Sequence, residues 1–283
     1  MRRIEIGDEG YPAALLDLRS PPRVVWALGD LAALRGPVVA IVGTRKATPY
    51  GVRATHEIAG ALARAGACVV SGMARGIDGT AHVAALEARG RTVAVLGTGV
   101  DIAYPTGHRP LHARIRENGL LLSEELPGAH AGPGAFPRRN RLIAALASIT
   151  IVVEAGRQSG ALNTAEQALE LGRTLAAVPG PIDAPQSVGT NSLLRDGATV
   201  IADVADALQL AGLTPRARRP DPTISSAAEL AVWKALGDGA LDVDMLTARS
   251  GLPARECLAA VTTLELSGAI ECALTGEIRR RLI

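Results

Sequence analysis

The sequence predicts an α/β fold: a Rossmann-like, doubly wound, mostly parallel sheet followed by a small C-terminal winged-helix domain. Short apolar runs recur along the chain without polar alternation, which is typical of parallel strands covered on both faces. Amphipathic, helix-like stretches separate these runs. Beyond a segment rich in proline and arginine, three short helical patterns precede a hairpin pattern.

Seven of the apolar runs are the predicted strands of the first domain. They are PVVAIVG (37–43), ACVVS (67–71), RTVAVLG (91–97), LLLS (120–123), ITIVVEA (149–155), TLAAVPG (174–180) and ATVI (198–201). Helical patterns between them cover 50–65, 78–89, 139–147 and 161–171. This alternation of strand and helix favours a doubly wound sheet over residues 35–212.

The rest of the chain divides into three parts. Residues 1–34 are too few to fold alone, so we expect a short lead-in packed on the main domain. Residues 213–222 include TPRARRPDP, which has no periodicity, and form the expected linker. In 223–283 we expect the winged helix, because SGLP (250–253) fits the turn of a helix-turn-helix motif and AIECALTGEIRRR fits a β-hairpin.

Composition limits the classes of function. The 283 residues are 48% hydrophobic but only 2% aromatic, so the core is aliphatic, and a net charge of +2 does not by itself indicate a nucleic-acid-binding protein. The three cysteines have no metal-binding or CxxC spacing and are typical of reduced cytosolic thiols. The N-terminus has no apolar signal core, and the longest apolar run, 142–153, is too short to cross a bilayer. We expect a cytoplasmic protein without metal, cofactor or membrane association.

The common catalytic motifs fail when their spacing is checked. The chain has no GxxxxGK[ST] loop and no GxSxG elbow, and GTG at 97–99 lacks the third glycine of GxGxxG because Ile102 stands there. His108 and His112 are four residues apart, but Pro110 lies between them and HExxH is absent, so both are expected at the surface. We therefore predict no catalytic residues.

Polar residues and glycines follow four of the predicted strands. The segments are GTRK (43–46), SGMARGID (71–78), GTGVD (97–101) and GRQSG (156–160). The carboxyl ends of parallel strands meet at one edge of a sheet, glycines allow close approach of a ligand, and amides at helix N-termini favour anions. Each loop alone is also an ordinary strand–helix connection, but together they indicate a phosphate-binding edge.

The stretch AFPRRNRLIAAL (135–146) contains the single phenylalanine of the chain, Phe136, followed by Arg138, Arg139 and Arg141. A ring that stacks on a base, beside cations that follow the phosphates, is the usual device for binding single-stranded nucleic acid. The alternative is a hydrophobic staple with solvated arginines, and these residues alone do not decide between the two. Because 28 of the 30 basic residues are arginine, arginine clusters also carry less weight here.

Collinear blocks of the sequence resemble the DNA-processing protein A family, also called DprA or Smf. The blocks are VGTRKATPYG (42–51), SGMARGIDGTAH (71–82), LGTGVDIAYP (96–105), SEELPG (123–128), FPRRNRLIAALA (136–147), VVEAGRQSGALNTAEQALELGRTLAAVPG (152–180) and GTNSLLRDGA (189–198). They extend over residues 35–210. Two departures from the family pattern are Thr44, where serine is commoner, and His108, which replaces an asparagine.

The resemblance implies a dimer that binds single-stranded DNA and helps to load the RecA recombinase in natural transformation, also onto strands covered by single-strand-binding protein. It places the DNA pocket in the Rossmann-like domain. The DNA-binding residues that it implies are Arg45, Lys46, Ser71, Gly72, Arg75, Phe136, Arg138, Arg139, Asn140, Arg141, Ser159, Gly160 and Asn163. Leu193, Leu194 and Ile201, beside a predicted edge strand, are the expected dimer contacts.

Two other classes of function are weaker. GRQSGALNTAE (156–166) is similar to the PGGxGTxxE loop of nucleotide phosphoribohydrolases, but PGG is missing and Gln167 stands where the acid is needed. A transcription regulator would read duplex DNA with the winged helix, yet the helix over 253–267 carries only one cation, Arg255. We therefore favour a non-enzymatic protein that binds single-stranded DNA.

Overall fold

The chain consists of two compact units, Met1–Arg216 and Ala217–Ile283. The first unit is built around a nine-stranded sheet. The computed structural model describes residues 1–214, 224–236, 241–267, 269–272 and 276–280. Residues 215–222 of the predicted linker lie outside these ranges.

The sheet contains the seven predicted strands and two more. The strands are β1 Arg2–Glu5, β2 Val24–Gly29, β3 Val38–Val42, β4 Cys68–Ser71, β5 Arg91–Leu96, β6 Leu120–Ser123, β7 Ile149–Val152, β8 Thr174–Ala177 and β9 Thr199–Val200. Their order is β1-β2-β6-β5-β4-β3-β7-β8-β9, and β3 to β9 are parallel to one another. The chain runs outwards from β3 in one direction and then from β7 in the other, so the topological switch point lies between these two strands.

Helices cover both faces of the sheet. They are α1 Pro49–Arg64, α2 Ile77–Glu87, α3 Arg109–Asn118, α4 Ala135–Leu146, α5 Gly160–Glu170, α6 Val188–Arg195 and α7 Val204–Leu210. Along β3, Val39 and Ile41 join a core with α1, α2 and α7, while Val38, Ala40 and Val42 join a core with α4 and α5. Burial on both faces explains the continuous apolar runs in the sequence. None of the helices within the described ranges is long and apolar enough to span a membrane.

Residues 1–34 form part of the sheet itself. The β2 strand pairs antiparallel with β6, and β1 pairs antiparallel with β2. Along β2 (VVWALG), Val25 and Ala27 are buried in the same core as α4 and α5. The half-buried Trp26 and Leu28 pack against a second apolar cluster, which includes Leu111 and Ile115 of α3. An ion pair between Arg173 and Asp17 fastens this segment to the rest of the unit.

The C-terminal unit has the predicted three helices and hairpin. These are α8 Ala227–Leu236, α9 Val243–Ser250, α10 Ala254–Leu266, β10 Ile270–Cys272 and β11 Ile278–Arg280, the two strands being antiparallel. Its own core includes Val232, Leu246 and Leu264. Gly251 ends α9 with a φ of 69°, a left-handed conformation that favours glycine in the turn of the helix-turn-helix.

Candidate functional site

A pocket of about 340 Å³ opens beyond the carboxyl ends of β3, β4 and β5. We call it the Phe136 pocket. It is lined by Arg45, Lys46, Gly72, Ala74, Arg75, Leu96, Gly97, Thr98, Tyr104, Pro105, Phe136 and Arg139. The loops after three neighbouring parallel strands therefore meet the start of α4 at the edge of the sheet where doubly wound folds bind ligands.

Two aromatic rings and a cation form one wall of the pocket. The rings of Tyr104 and Phe136 are stacked, with centroids 5.3 Å apart and planes inclined by 30°. The guanidinium carbon of Arg45 lies over the Phe136 ring, 5.3 Å from its centroid, within the range of a cation–π interaction. Gly97 makes room for this arrangement, because a Cβ there would lie 3.1 Å from Cδ1 of Phe136.

Three cations at the pocket are exposed to solvent. They are Arg45 and Lys46 after β3 and Arg75 after β4. Among the residues that the structure describes, none of the three is ion-paired with an acid. Their charge is thus available to an anionic ligand.

Arg139 lies beneath the pocket rather than at its surface. It is 5% exposed, and Nη1 donates hydrogen bonds to the carbonyl oxygens of Gly72, at 2.5 Å, and Val95. Burial lowers the pKa of Arg139 to about 10, against the favourable charge of Asp78, so the side chain stays charged at neutral pH. Arg139, one of the implied DNA contacts, is therefore buried, and it fixes the backbone at the ends of β4 and β5.

Acidic residues of the SEELPG block neutralise the other two arginines of α4. Arg138 forms an ion pair with Glu125, Nη2 to Oε1 2.6 Å, and lies 3.5 Å from Glu124. Arg141 pairs with Glu124 and donates a 2.8 Å hydrogen bond to the carbonyl oxygen of Ser20. Arg141 is therefore a clamp between α4 and the N-terminal segment, whereas Arg138, whose side chain is 53% exposed, can exchange its partner.

The remaining predicted contacts do not line the pocket. Ser71 is fully buried, and its hydroxyl donates to the carbonyl oxygen of Ile41 at 2.6 Å, so it links β4 to β3 and does not face the cavity. Nδ2 of Asn140 donates to the carbonyl oxygen of Gly160 at 3.2 Å and to Oδ1 of Asn163 at 3.4 Å. Asn140 thus joins α4 to the first turn of α5, where Ser159 is the N-cap.

The amides at the start of α1 are not open to an anion. The buried carboxylate of Glu154 accepts hydrogen bonds from the backbone N–H of Thr48, at 2.9 Å, and from its hydroxyl, and Oγ1 of Thr48 accepts from the N–H of Gly51 at 3.1 Å. In α2, the carboxylate of Asp78 accepts from the N–H of Gly72 at 3.1 Å. The expectation that helix N-termini hold phosphate is therefore wrong for α1, and exposed side-chain cations supply the positive charge of the pocket.

The two histidines expected at the surface are structural instead. His112 is 8% exposed and Nε2 donates to the carbonyl oxygen of Val100 at 2.8 Å. His108 is half-buried, and Nδ1 donates at 2.9 Å to the carbonyl oxygen of Met73. Met73 has a φ of 61°, which is uncommon for a residue other than glycine, so His108 supports an unusual backbone conformation next to the pocket.

Sequence reasoning missed Tyr104 as a pocket residue and did not connect Glu124 and Glu125 with the arginines of α4. All three residues lie inside blocks that resemble the family, LGTGVDIAYP and SEELPG. Their place in these blocks was the one indication in the sequence that they belong to the site. Their contacts join segments that are distant along the chain, so a pattern within one segment could not show them.

A second, wider cavity of about 630 Å³ lies along α6, and we call it the α6 groove. It is lined by Arg157, Leu162, Ile182, Val188, Gly189, Asn191, Ser192, Leu193 and Arg195. Ile182 is 96% exposed, and Leu193 and Leu194 are half-buried. Ile201 is 1% exposed in the core between the sheet and α7, so its side chain cannot reach a second copy of this fold.

Comparison with known proteins identifies the family. The family model of DNA recombination-mediator protein A matches residues 2–212, and that of the DprA winged helix domain matches 215–273. A DNA processing protein DprA from Mycobacterium tuberculosis is 44% identical over 260 residues, which are 89% of this chain and 67% of the relative.

Two solved structures are similar over most of the chain. DNA processing protein A from Streptococcus pneumoniae matches with a TM-score of 0.71 and 37% identity, over 76% of this chain and 75% of that chain. DNA processing protein A from Helicobacter pylori, solved for its mode of binding single-stranded DNA, matches with a TM-score of 0.67 and 34% identity, over 72% and 94% of the two chains. The chain belongs to the DNA recombination-mediator protein A family.

Proposed function

We propose that this chain binds single-stranded DNA in the Phe136 pocket, acts as a dimer and helps to load the RecA recombinase onto that DNA during natural transformation. The observation that carries the proposal is the pairing of stacked rings with unpaired cations in one pocket. Arg45, Lys46 and Arg75 provide charge for phosphates, and Tyr104 and Phe136 provide aromatic surface for a base. The protein is a binding protein rather than an enzyme, and we expect it in the cytoplasm.

The pocket favours a single strand over a duplex. Base stacking on an aromatic side chain requires a base whose faces are free, which a duplex does not offer without unpairing. The single-stranded DNA binding reported for the Helicobacter pylori relative supports the same choice.

The exposed surface of α10 does not favour the reading of duplex DNA. Its outward residues include one cation, Arg255, two acids, Glu256 and Glu265, and two apolar side chains, Leu258 and Leu266. A helix that enters the major groove needs cations for phosphates and polar groups for base edges. The winged helix is therefore not the proposed DNA site.

The α6 groove and the edge of the sheet support a two-fold contact. Ile182 and Leu193 line the groove, and Leu194 is half-buried on the same helix. The strand β9 is at the edge of the sheet, and its Val200 is 49% exposed. An exposed sheet edge is a template for pairing with another chain, and contiguous exposed apolar side chains mark interaction sites. Leu193 and Leu194 are the proposed dimer contacts. Ile201 is not one of them, because its side chain is buried in the core.

Two assays test the proposal. Fluorescence anisotropy should show tight binding of a labelled dT oligonucleotide and much weaker binding of the corresponding duplex. The rate at which RecA begins to hydrolyse ATP on single strands covered by single-strand-binding protein should rise when this protein is added. Equal affinity for single strand and duplex would contradict the proposed DNA site, and an unchanged RecA rate would contradict only the loading role.

A further inference from the structure

We propose that Tyr104, rather than Phe136, presents the ring face on which a base of the bound strand stacks, and that Phe136 supports it from behind. This inference rests on the proposed binding of single-stranded DNA. It assigns the stacking role within the Phe136 pocket to a residue outside the arginine-rich helix α4.

The two rings differ in how much of their surface is free. Phe136 is half-buried and has two close neighbours. The centroid of the Tyr104 ring and the guanidinium carbon of Arg45 each lie 5.3 Å from the centroid of the Phe136 ring. Phe136 also packs against Gly97, where a Cβ would be only 3.1 Å away. Tyr104 is 44% exposed. A base can therefore reach Tyr104 directly, whereas stacking on Phe136 requires displacement of a neighbour.

The exposed cations of the pocket can bind the phosphate of a nucleotide whose base stacks on Tyr104. Arg45, Lys46 and Arg75 line the same pocket and are exposed. A volume of about 340 Å³ is at the lower end of the range for ligand pockets, so it suits one nucleotide unit rather than a stack of several bases. A base against Tyr104 with its phosphate toward these cations uses both features of the pocket at once.

Substitutions separate the two rings. Tyr104→Leu should weaken binding of a dT oligonucleotide about 5- to 150-fold, corresponding to the loss of one stacked base at about 1–3 kcal/mol, and Tyr104→Phe should bind like the wild type. Phe136→Leu should have the smaller effect, because an apolar side chain can still support Tyr104. Tyr50→Leu is the matched control, since Tyr50 is 39% exposed but does not line the pocket.

Photocrosslinking with 5-iodouracil shows the stacked residue directly. Trypsin places Tyr104 in the peptide 92–114 and Phe136 in the peptide 117–138. We expect the crosslink in 92–114. A crosslink only in 117–138, or Tyr104→Leu binding like the wild type while Phe136→Leu loses affinity, overturns the assignment. In either case the wild-type chain still binds single strands, so these results are distinct from failure of the proposed function, in which no single-strand binding is measured at all.

Discussion

Arg138 and Glu125 form an ion pair beside the Phe136 pocket, with Nη2 and Oε1 2.6 Å apart. In the proposed DNA complex, this carboxylate competes with a DNA phosphate for the Arg138 guanidinium. Since exposed ion pairs are worth about 1 kcal/mol or less, a phosphate can replace it at small cost. We therefore expect the pair to lower the affinity of the protein for single strands without blocking the pocket.

Glu125→Gln should therefore tighten the binding of a dT oligonucleotide by about two- to five-fold at low salt, because Arg138 is released for a phosphate. It should also steepen the plot of log K against log salt by up to about 0.7 for one added contact. Glu87→Gln, which breaks the exposed His56–Glu87 pair on α1 and α2, is the control and should leave both values unchanged. Weaker binding by Glu125→Gln would show that the acid supports the site instead of competing with DNA.

Arg139→Ala should lower the free energy of unfolding by about 3–5 kcal/mol, because it removes a buried charge that bonds two carbonyl groups and faces the buried Asp78. Arg138→Ala should change it by less than about 1 kcal/mol, since that side chain is exposed. Urea denaturation followed by circular dichroism measures both. Equal stability of the two variants would contradict the structural role of Arg139.

Stability should fall on mild acidification because of His82. Oγ1 of Thr92 donates to the carbonyl oxygen of Val69, so Nδ1 of His82 donates to Thr92. The buried Nε2 has no hydrogen-bond partner among the residues that the structure describes. Burial, with the charges of Arg139 and His108, lowers the pKa of His82 to about 3. Between about pH 6.5 and pH 3, His82 is protonated in the unfolded state but not in the folded state. The free energy of unfolding therefore decreases by up to about 1.4 kcal/mol for each pH unit of acidification.

His82→Gln should flatten this dependence when urea midpoints are compared at pH 7 and pH 5. His56→Gln is the control, because His56 is exposed on α1. Burial raises the pKa of Asp78, so on acidification this carboxyl group is protonated in the folded state before it is protonated in the unfolded state. Asp78 therefore increases the free energy of unfolding as the pH falls, which is opposite to the effect of His82. A pH dependence that is the same in the wild type and in His82→Gln would contradict the assignment.

Leu194→Glu should convert a dimer to monomers in multi-angle light scattering, because it places a charge in the proposed two-fold contact. Its circular dichroism should match the wild type, since Leu194 is half-buried at the surface of α6. Ile201→Glu is unsuitable for this purpose, because Ile201 is part of the core and the variant is expected to unfold. A Leu194→Glu chain that remains dimeric would place the contact elsewhere.

The sequence was most informative where one physical requirement dominates. The seven parallel strands were predictable because strands buried on both faces are apolar throughout. The β2 strand, VVWALG, is equally apolar, but it lies in residues 1–34, which were interpreted as a lead-in too short to fold alone. The helix α3 was not predicted, and its Pro110 stands in the first turn, where proline is tolerated.

Within the site, the burial of Arg139 had a signal in the sequence. It stands three residues before Leu142 and seven before Leu146, which places it on the inward face of α4 at helical spacing. The contacts of Tyr104 with Phe136 and of Arg138 with Glu125 had no such signal, because each joins two segments whose approach depends on the whole sheet.

Binding of a labelled dT oligonucleotide across a salt series, by the wild type and by Arg45→Ala, tests the location of the DNA site most directly. Removal of one phosphate contact should lower the affinity and flatten the slope of log K against log salt by about 0.7. Arg114→Ala, an exposed arginine on α3 outside the pocket, should match the wild type. If Arg45→Ala retains the wild-type slope and affinity, the Phe136 pocket is not where this protein holds DNA.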